Sequence, residues 1–170
     1  MRFFMLAISA LFAIPFIALA QDSRIKLPTD YKSEFTNYLS LDRVQNHDQI
    51  IRLFANDVAM KGMKDGGKFP YGSVLVAEVY KAKKDADGEV VKSELGRRVR
   101  DKFALIAVME KQPGWGDNFK AEHKNGDWDF AAFKPDGSVA ASKDLNACRS
   151  CHAPLGKSDH VFSFEHIGQP

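Results

Sequence analysis

From residue 21 onward, apolar positions first recur with a helical period and then settle into strand-like alternation. Tyr31, Phe35, Tyr38 and Leu39 fall three or four residues apart behind Thr29 or Asp30, which can cap; the spacing predicts a short helix. Gln49 to Ala55 (QIIRLFA) is rich in β-branched and aromatic residues and predicts a strand. Asn56-Asp57 then caps a second short helix, Val58 to Lys64, stopped by Gly66-Gly67. From Ser73 to Lys83, alternation puts Ser73, Leu75, Ala77 and Val79 on one strand face and Val74, Val76, Glu78 and Tyr80 on the other. The turn Asp85-Ala86-Asp87-Gly88 leads to a partner strand near Glu89 to Lys92. Phe103 to Lys111 predicts a further strand, with Phe103, Leu105, Ala107 and Met109 on one side. Trp128 to Phe133 is a shorter strand ended by Pro135-Asp136-Gly137, and Val161 to Ile167 reads as a closing strand. These elements define a predominantly β (α+β) fold: an antiparallel β-sheet preceded by short N-terminal helices.

The first twenty residues stand outside that pattern. Arg2 precedes an apolar run from Phe3 to Leu19, and Ala18-Leu19-Ala20 is a small-x-small cleavage site, so residues 1–20 are expected to be an export signal cut after Ala20. An uncleaved membrane anchor is the competing reading, but the run is short for a span. Residues 21–170 are then one domain, large enough for a real core. Losing Arg2 lowers the formal charge from +2 to +1, which argues against nucleic acid or an anionic membrane surface as partner.

Candidate chemistry concentrates near the C-terminus. The sequence has two cysteines, and they stand in Cys148-Arg149-Ser150-Cys151-His152. The pattern C-x-x-C-H reads as covalent attachment of one c-type haem: each thiol adds to a vinyl group, and His152 follows where its imidazole can ligate the iron. A disulfide would close a loop of two residues and stabilise little. Zinc is the sharper rival, since Cys148, Cys151, His160 and His166 make a chemically legitimate tetrahedral set, although that set leaves His152 without a purpose.

The sixth iron position decides between electron transfer and ligand chemistry. Met60, Met63, Met109, His47, His123, His160 and His166 are the candidates; no methionine stands in a recognisable ligand loop, and His160 and His166, close behind the motif, have packing or capping as their competing reading. An open site is therefore expected.

An exported chain with a β pattern and a C-terminal C-x-x-C-H resembles the cytochrome P-460 family, which includes hydroxylamine-oxidising cytochrome P-460 and nitric-oxide-binding cytochrome c′-beta. The likeness runs through Leu27-Pro28-Thr29-Asp30-Tyr31, GKFPYGSVLVAE, the Phe103–Lys111 strand, Gly126-Asp127-Trp128 and CRSCHAPLGKSDHVFS. It implies a five-coordinate haem c in an antiparallel β fold, usually a homodimer. Cytochrome P-460 carries a lysine bonded to the haem edge, and placing Gly72 on its turn glycine brings Ala77 to that position. An alanine cannot form the bond, which points toward the cytochrome c′-beta side. If Ala77 faces haem, Leu75 and Val79 share its apolar wall. Glu110 falls near the position of a distal carboxylate that moves protons, with an ordinary exposed glutamate as the competing reading. Phe35, Phe54 and Phe69 are candidates for an aromatic distal cap, with Phe69 the best placed. The resemblance thus implies a periplasmic protein that binds NO or a similar diatomic. The alternatives are a hydroxylamine- or NO-oxidising enzyme and a six-coordinate electron carrier with a periplasmic redox partner.

Overall fold

Five strands form one antiparallel sheet in chain order: β1 (Thr36–Asp42), β2 (Gln49–Ala55), β3 (Val74–Ala82), β4 (Arg100–Lys111) and β5 (Trp128–Phe133). The computed structural model describes residues 23–66 and 68–167, so the expected export signal, residues 1–20, and the cleavage expected after Ala20 lie outside the described residues. Helix α1 (Tyr31–Glu34) precedes the sheet, α2 (Asp57–Gly66) joins β2 to β3, and α3 (Leu145–His152) follows β5. The fold is the expected mostly β, α+β arrangement. Among the described residues no helix is long and apolar enough to cross a membrane.

Four expectations change. The first helix ends at Glu34, and Thr36 already begins β1. The β1–β2 register slips between Asn37 and Leu39, so a bulge at Tyr38 resets the two-residue alternation and imitates a helical spacing. A second slip, between Val79 and Tyr80 on β3, sends Phe103 to the face opposite Leu105, Ala107 and Met109, where it stacks on Tyr80 at 4.8 Å between centroids. Val161 to Ile167 is not a strand: it is a turn followed by a 3-10 turn at Phe164–His166. Val161 and Ile167 are buried against the sheet face, so the segment covers the sheet instead of extending it. The Asp85–Gly88 hairpin forms, but its partner segment makes only the isolated bridges Lys84–Val90 and Lys92–Arg98.

The two sheet faces bury different cores. On one, Ala55, Leu75, Met109 and Phe130 pack beneath Phe69, Trp128, Val161 and Ile167, with Cys148 against them. On the other, Phe54, Val76, Ile106, Val108, Ala131 and Phe133 are covered by Ile25 and Tyr31 of the N-terminal segment. Glu78 is fully buried on this second face. Its carboxylate accepts hydrogen bonds from Tyr31 at 2.8 Å and Tyr80 at 2.9 Å, and pairs with Arg52 at 3.1 Å. A buried charge is tolerable only with such partners.

Candidate functional site

Helix α3 carries the motif. Asp144 caps it by accepting from the Asn146 amide at 2.9 Å, which starts the helix just before the first cysteine. Positions 148, 151 and 152 then fall at i, i+3 and i+4, so Cys148, Cys151 and His152 occupy one helical face. Both cysteines are free thiols; Cys148 is half-buried and Cys151 exposed. Burial pushes the Cys148 thiol pKa up.

His152 is half-buried, with its ring edge-on to Phe130 at 4.9 Å and Phe162 at 5.0 Å. Its Nδ1 lies 2.7 Å from the His160 carbonyl oxygen. A carbonyl carries no proton to give, so Nδ1 is the donor and Nε2 keeps its lone pair free. Burial pulls the His152 pKa down, against the opposing effect of that hydrogen bond, so the ring is neutral near pH 7. A neutral imidazole with a free Nε2 is the form that ligates a metal.

The Phe130 contact ties the motif to one sheet face. Phe130 pairs with Met109 and Met109 with Leu75, so these three share the face toward His152. Two residues along, Leu53, Ala77, Ala107 and Ala132 are opposite one another on the same face. Ile51, Val79 and Leu105 make the next row. Leu75, Ala77 and Val79 therefore do share one apolar wall, with three alanines forming a shallow trough between bulkier rows. Phe69 is buried on this side, edge-on to Trp128 at 5.4 Å and to Phe164 at 5.9 Å.

Other candidates stand elsewhere. Glu110 pairs with Val74, on the face opposite Leu75 and Ala77, and accepts from Gln112 at 2.7 Å. The register parity that puts Met109 toward His152 turns Glu110 away. Phe35 and Phe54 also belong to the far-face core. Met60, Met63 and Met109 pack into the cluster that Cys148 joins. His47 contacts Arg98, and His160 turns its Nδ1 to the His152 carbonyl at 3.3 Å. Among the described residues no group of three or more His, Cys, Asp or Glu side chains is arranged to hold a metal ion. The zinc set of Cys148, Cys151, His160 and His166 is thus not assembled.

Two supporting groups escaped the sequence. Arg149, between the cysteines, reaches the buried Asp129 of β5, and Asp159 meets Lys111 at the end of β4. A charged residue inside C-x-x-C was the one local hint of the first; nothing local signals the second.

No curated protein matches this chain. The family model described as Cytochrome P460 matches residues 28–163, a span that takes in the sheet, the motif helix and the turn beyond it, and the chain therefore belongs to the cytochrome P460 family.

Proposed function

We propose that this chain is an exported, periplasmic c-type haem protein with a five-coordinate iron, binding NO or a similar neutral diatomic. Membership of the cytochrome P460 family makes haem the cofactor. The residues present fit it: two unbridged thiols and a neutral imidazole on one face of α3, beside an apolar stretch of sheet. Cys148 and Cys151 are the thioether partners, one haem per chain, and His152 is the proximal ligand. When bound, haem supplies an iron able to coordinate a small ligand and to change oxidation state.

The observation that carries the reading is the Nδ1 hydrogen bond of His152, which fixes the tautomer with Nε2 free. Leu75, Ala77, Val79 and Ala107 line the wall for the macrocycle, and Phe69 lies on the same side. Such a wall offers no charge and no hydrogen bond, which favours neutral diatomics over water or anions. Between Leu75 and Val79 the wall carries no amine, which supports the cytochrome c′-beta side of the family over the cross-linked oxidase. Glu110, the candidate proton acceptor for that oxidase, faces away, and this weighs against the enzymatic alternative. A homodimer, by family resemblance, and a periplasmic redox partner belong to the proposal.

An optical spectrum of the purified ferrous protein, with and without NO, tests this. A high-spin, five-coordinate spectrum that changes on adding NO is expected. A low-spin spectrum indifferent to NO would sink the proposal in favour of an electron carrier. A strongly red-shifted ferrous band would instead favour the modified macrocycle of the oxidase. Cys148→Ala with Cys151→Ala should leave no haem attached after denaturation.

A further inference from the structure

Among the described residues two non-glycine residues have positive φ, and they are adjacent: Asp159 at 47° and His160 at 62°. L residues resist this left-handed region, because Cβ crowds the following carbonyl, and two in succession need an external hold. The hold on the first is specific. Asp159 Oδ2 lies 2.6 Å from Lys111 Nζ, and both side chains are largely shielded, at 26% and 16% exposure. Lys111 is itself fixed at the end of β4: its amide donates to the Ser73 carbonyl at 3.0 Å, and its carbonyl accepts from the Gly72 amide at 2.8 Å.

The second residue is seated by its ring and its amide. The His160 amide donates to the Leu155 carbonyl at 2.8 Å. Its ring lies against two glycines: a Cβ added at Gly126 would come within 3.7 Å of Cδ2, and one at Gly156 within 4.0 Å of Cε1. Held in this way, the His160 carbonyl meets His152 Nδ1 at 2.7 Å, while the His160 ring returns a 3.3 Å hydrogen bond to the His152 carbonyl.

We propose that the Lys111–Asp159 ion pair is a positioning device for His152: it holds the left-handed turn that aims the His160 carbonyl at Nδ1, and so sets the orientation and basicity of Nε2. This rests on the reading of His152 as the iron ligand. An Nδ1–H bonded to a well-aimed carbonyl makes the opposite nitrogen a stronger donor, and a loosened carbonyl makes it a weaker one. Lys111 and Asp159 touch neither ligand nor thiol. Their action is through the backbone of residues 159 and 160.

The test uses the haem-loaded protein, reading the iron–histidine stretching band of the ferrous form by resonance Raman spectroscopy, together with the reduction potential. Asp159→Asn and Lys111→Met are expected to move the band to lower frequency and raise the potential, since a weaker donor stabilises the ferric state less. Lys111→Arg, which keeps the charge, should restore both. Should Asp159→Asn not fold, Lys111→Met carries the test, its fold checked by circular dichroism. If the band and potential stay at wild-type values in folded variants that have merely lost thermal stability, the pair is a loop staple and the inference is overturned, with the haem reading intact. If His152→Ala keeps the wild-type band, the ligand assignment fails and takes the inference with it.

Discussion

Arg149 Nη2 lies 2.6 Å from Asp129 Oδ1, with both side chains only 4% exposed, so the residue between the two cysteines of the motif is pinned to the edge strand β5. Asp129 accepts further bonds from the Phe130 amide at 2.8 Å and from Arg24 at 2.9 Å, and the Arg149 guanidinium stacks over Phe119 at 4.3 Å. The helix that presents the thiols and the imidazole is therefore positioned by a buried ion pair rather than by apolar packing alone.

Removing one partner of that pair should be costly. Asp129→Ala leaves the Arg149 charge buried without a counter-ion, and a loss of about 3–5 kcal/mol is expected in urea-induced unfolding of the apo protein. Arg24 is 42% exposed, and Arg24→Ala should cost roughly 1 kcal/mol or less, because solvent already screens it. Equal losses for the two variants would show that the pair does not anchor the helix.

The two thiols should differ in reactivity before haem is attached. Cys151 is exposed, whereas Cys148 is half-buried and its thiol is pushed up by burial, so less of it is thiolate at a given pH. Alkylation of the apo protein at about pH 8, below the free-thiol value of about 8.5, should label Cys151 first. Mass mapping of the early product reads the order. Preferential labelling of Cys148 would contradict the geometry of α3.

Much of this arrangement is legible in the sequence, and the limits have a physical pattern. The strands Gln49–Ala55 and Trp128–Phe133 match residue for residue, since each is an unbroken run with turn residues at its flanks. The motif is legible because its chemistry is local. The bulge at Tyr38 and the register slip that turns Phe103 are not, because each is set by the neighbouring strand and reverses every face assignment beyond it. Val161 to Ile167 has strand-like composition, yet burial of Val161 and Ile167 against the sheet face produces the same apolar spacing without pairing. The Lys111–Asp159 and Arg149–Asp129 pairs join residues far apart in the chain, and no periodicity reports them.

The row of Ala77, Ala107 and Ala132 makes a steric prediction. In a Cys148→Ala, Cys151→Ala background haem binding is reversible, so its affinity reads contact with the wall. Ala77→Leu or Ala107→Leu fills the trough and should cost about 1–3 kcal/mol, roughly fivefold to 150-fold in haem affinity. Ala86→Leu, on the exposed hairpin turn, is the control and should change nothing. Unaltered affinity in the trough variants would place haem on some other surface.

The tyrosines give a pH dependence whose sign can be fixed. Burial pushes the Tyr38 phenol up to about 12, with its Ser163 hydrogen bond acting in the opposite direction. Tyr31 is raised further, by burial and then by the Glu78 carboxylate it donates to, and Tyr80 is raised by the same two causes. Each folded value lies above the unfolded value of about 10, so the folded state holds these protons more tightly. Their contribution to stability is fully present below about pH 10 and is lost as pH rises through the folded values. Tyr71 is raised as well, through its bond to Asp127, but at 53% exposure solvent screens the effect and it should ionise first. Absorbance at 295 nm near pH 10 should show the folded protein well short of the half-ionisation that the urea-unfolded chain reaches. Tyr31→Phe removes the most strongly held of these protons and should make the alkaline loss of stability shallower. Half-ionised phenols in the folded protein at that pH would show that the Glu78 cluster is open to water.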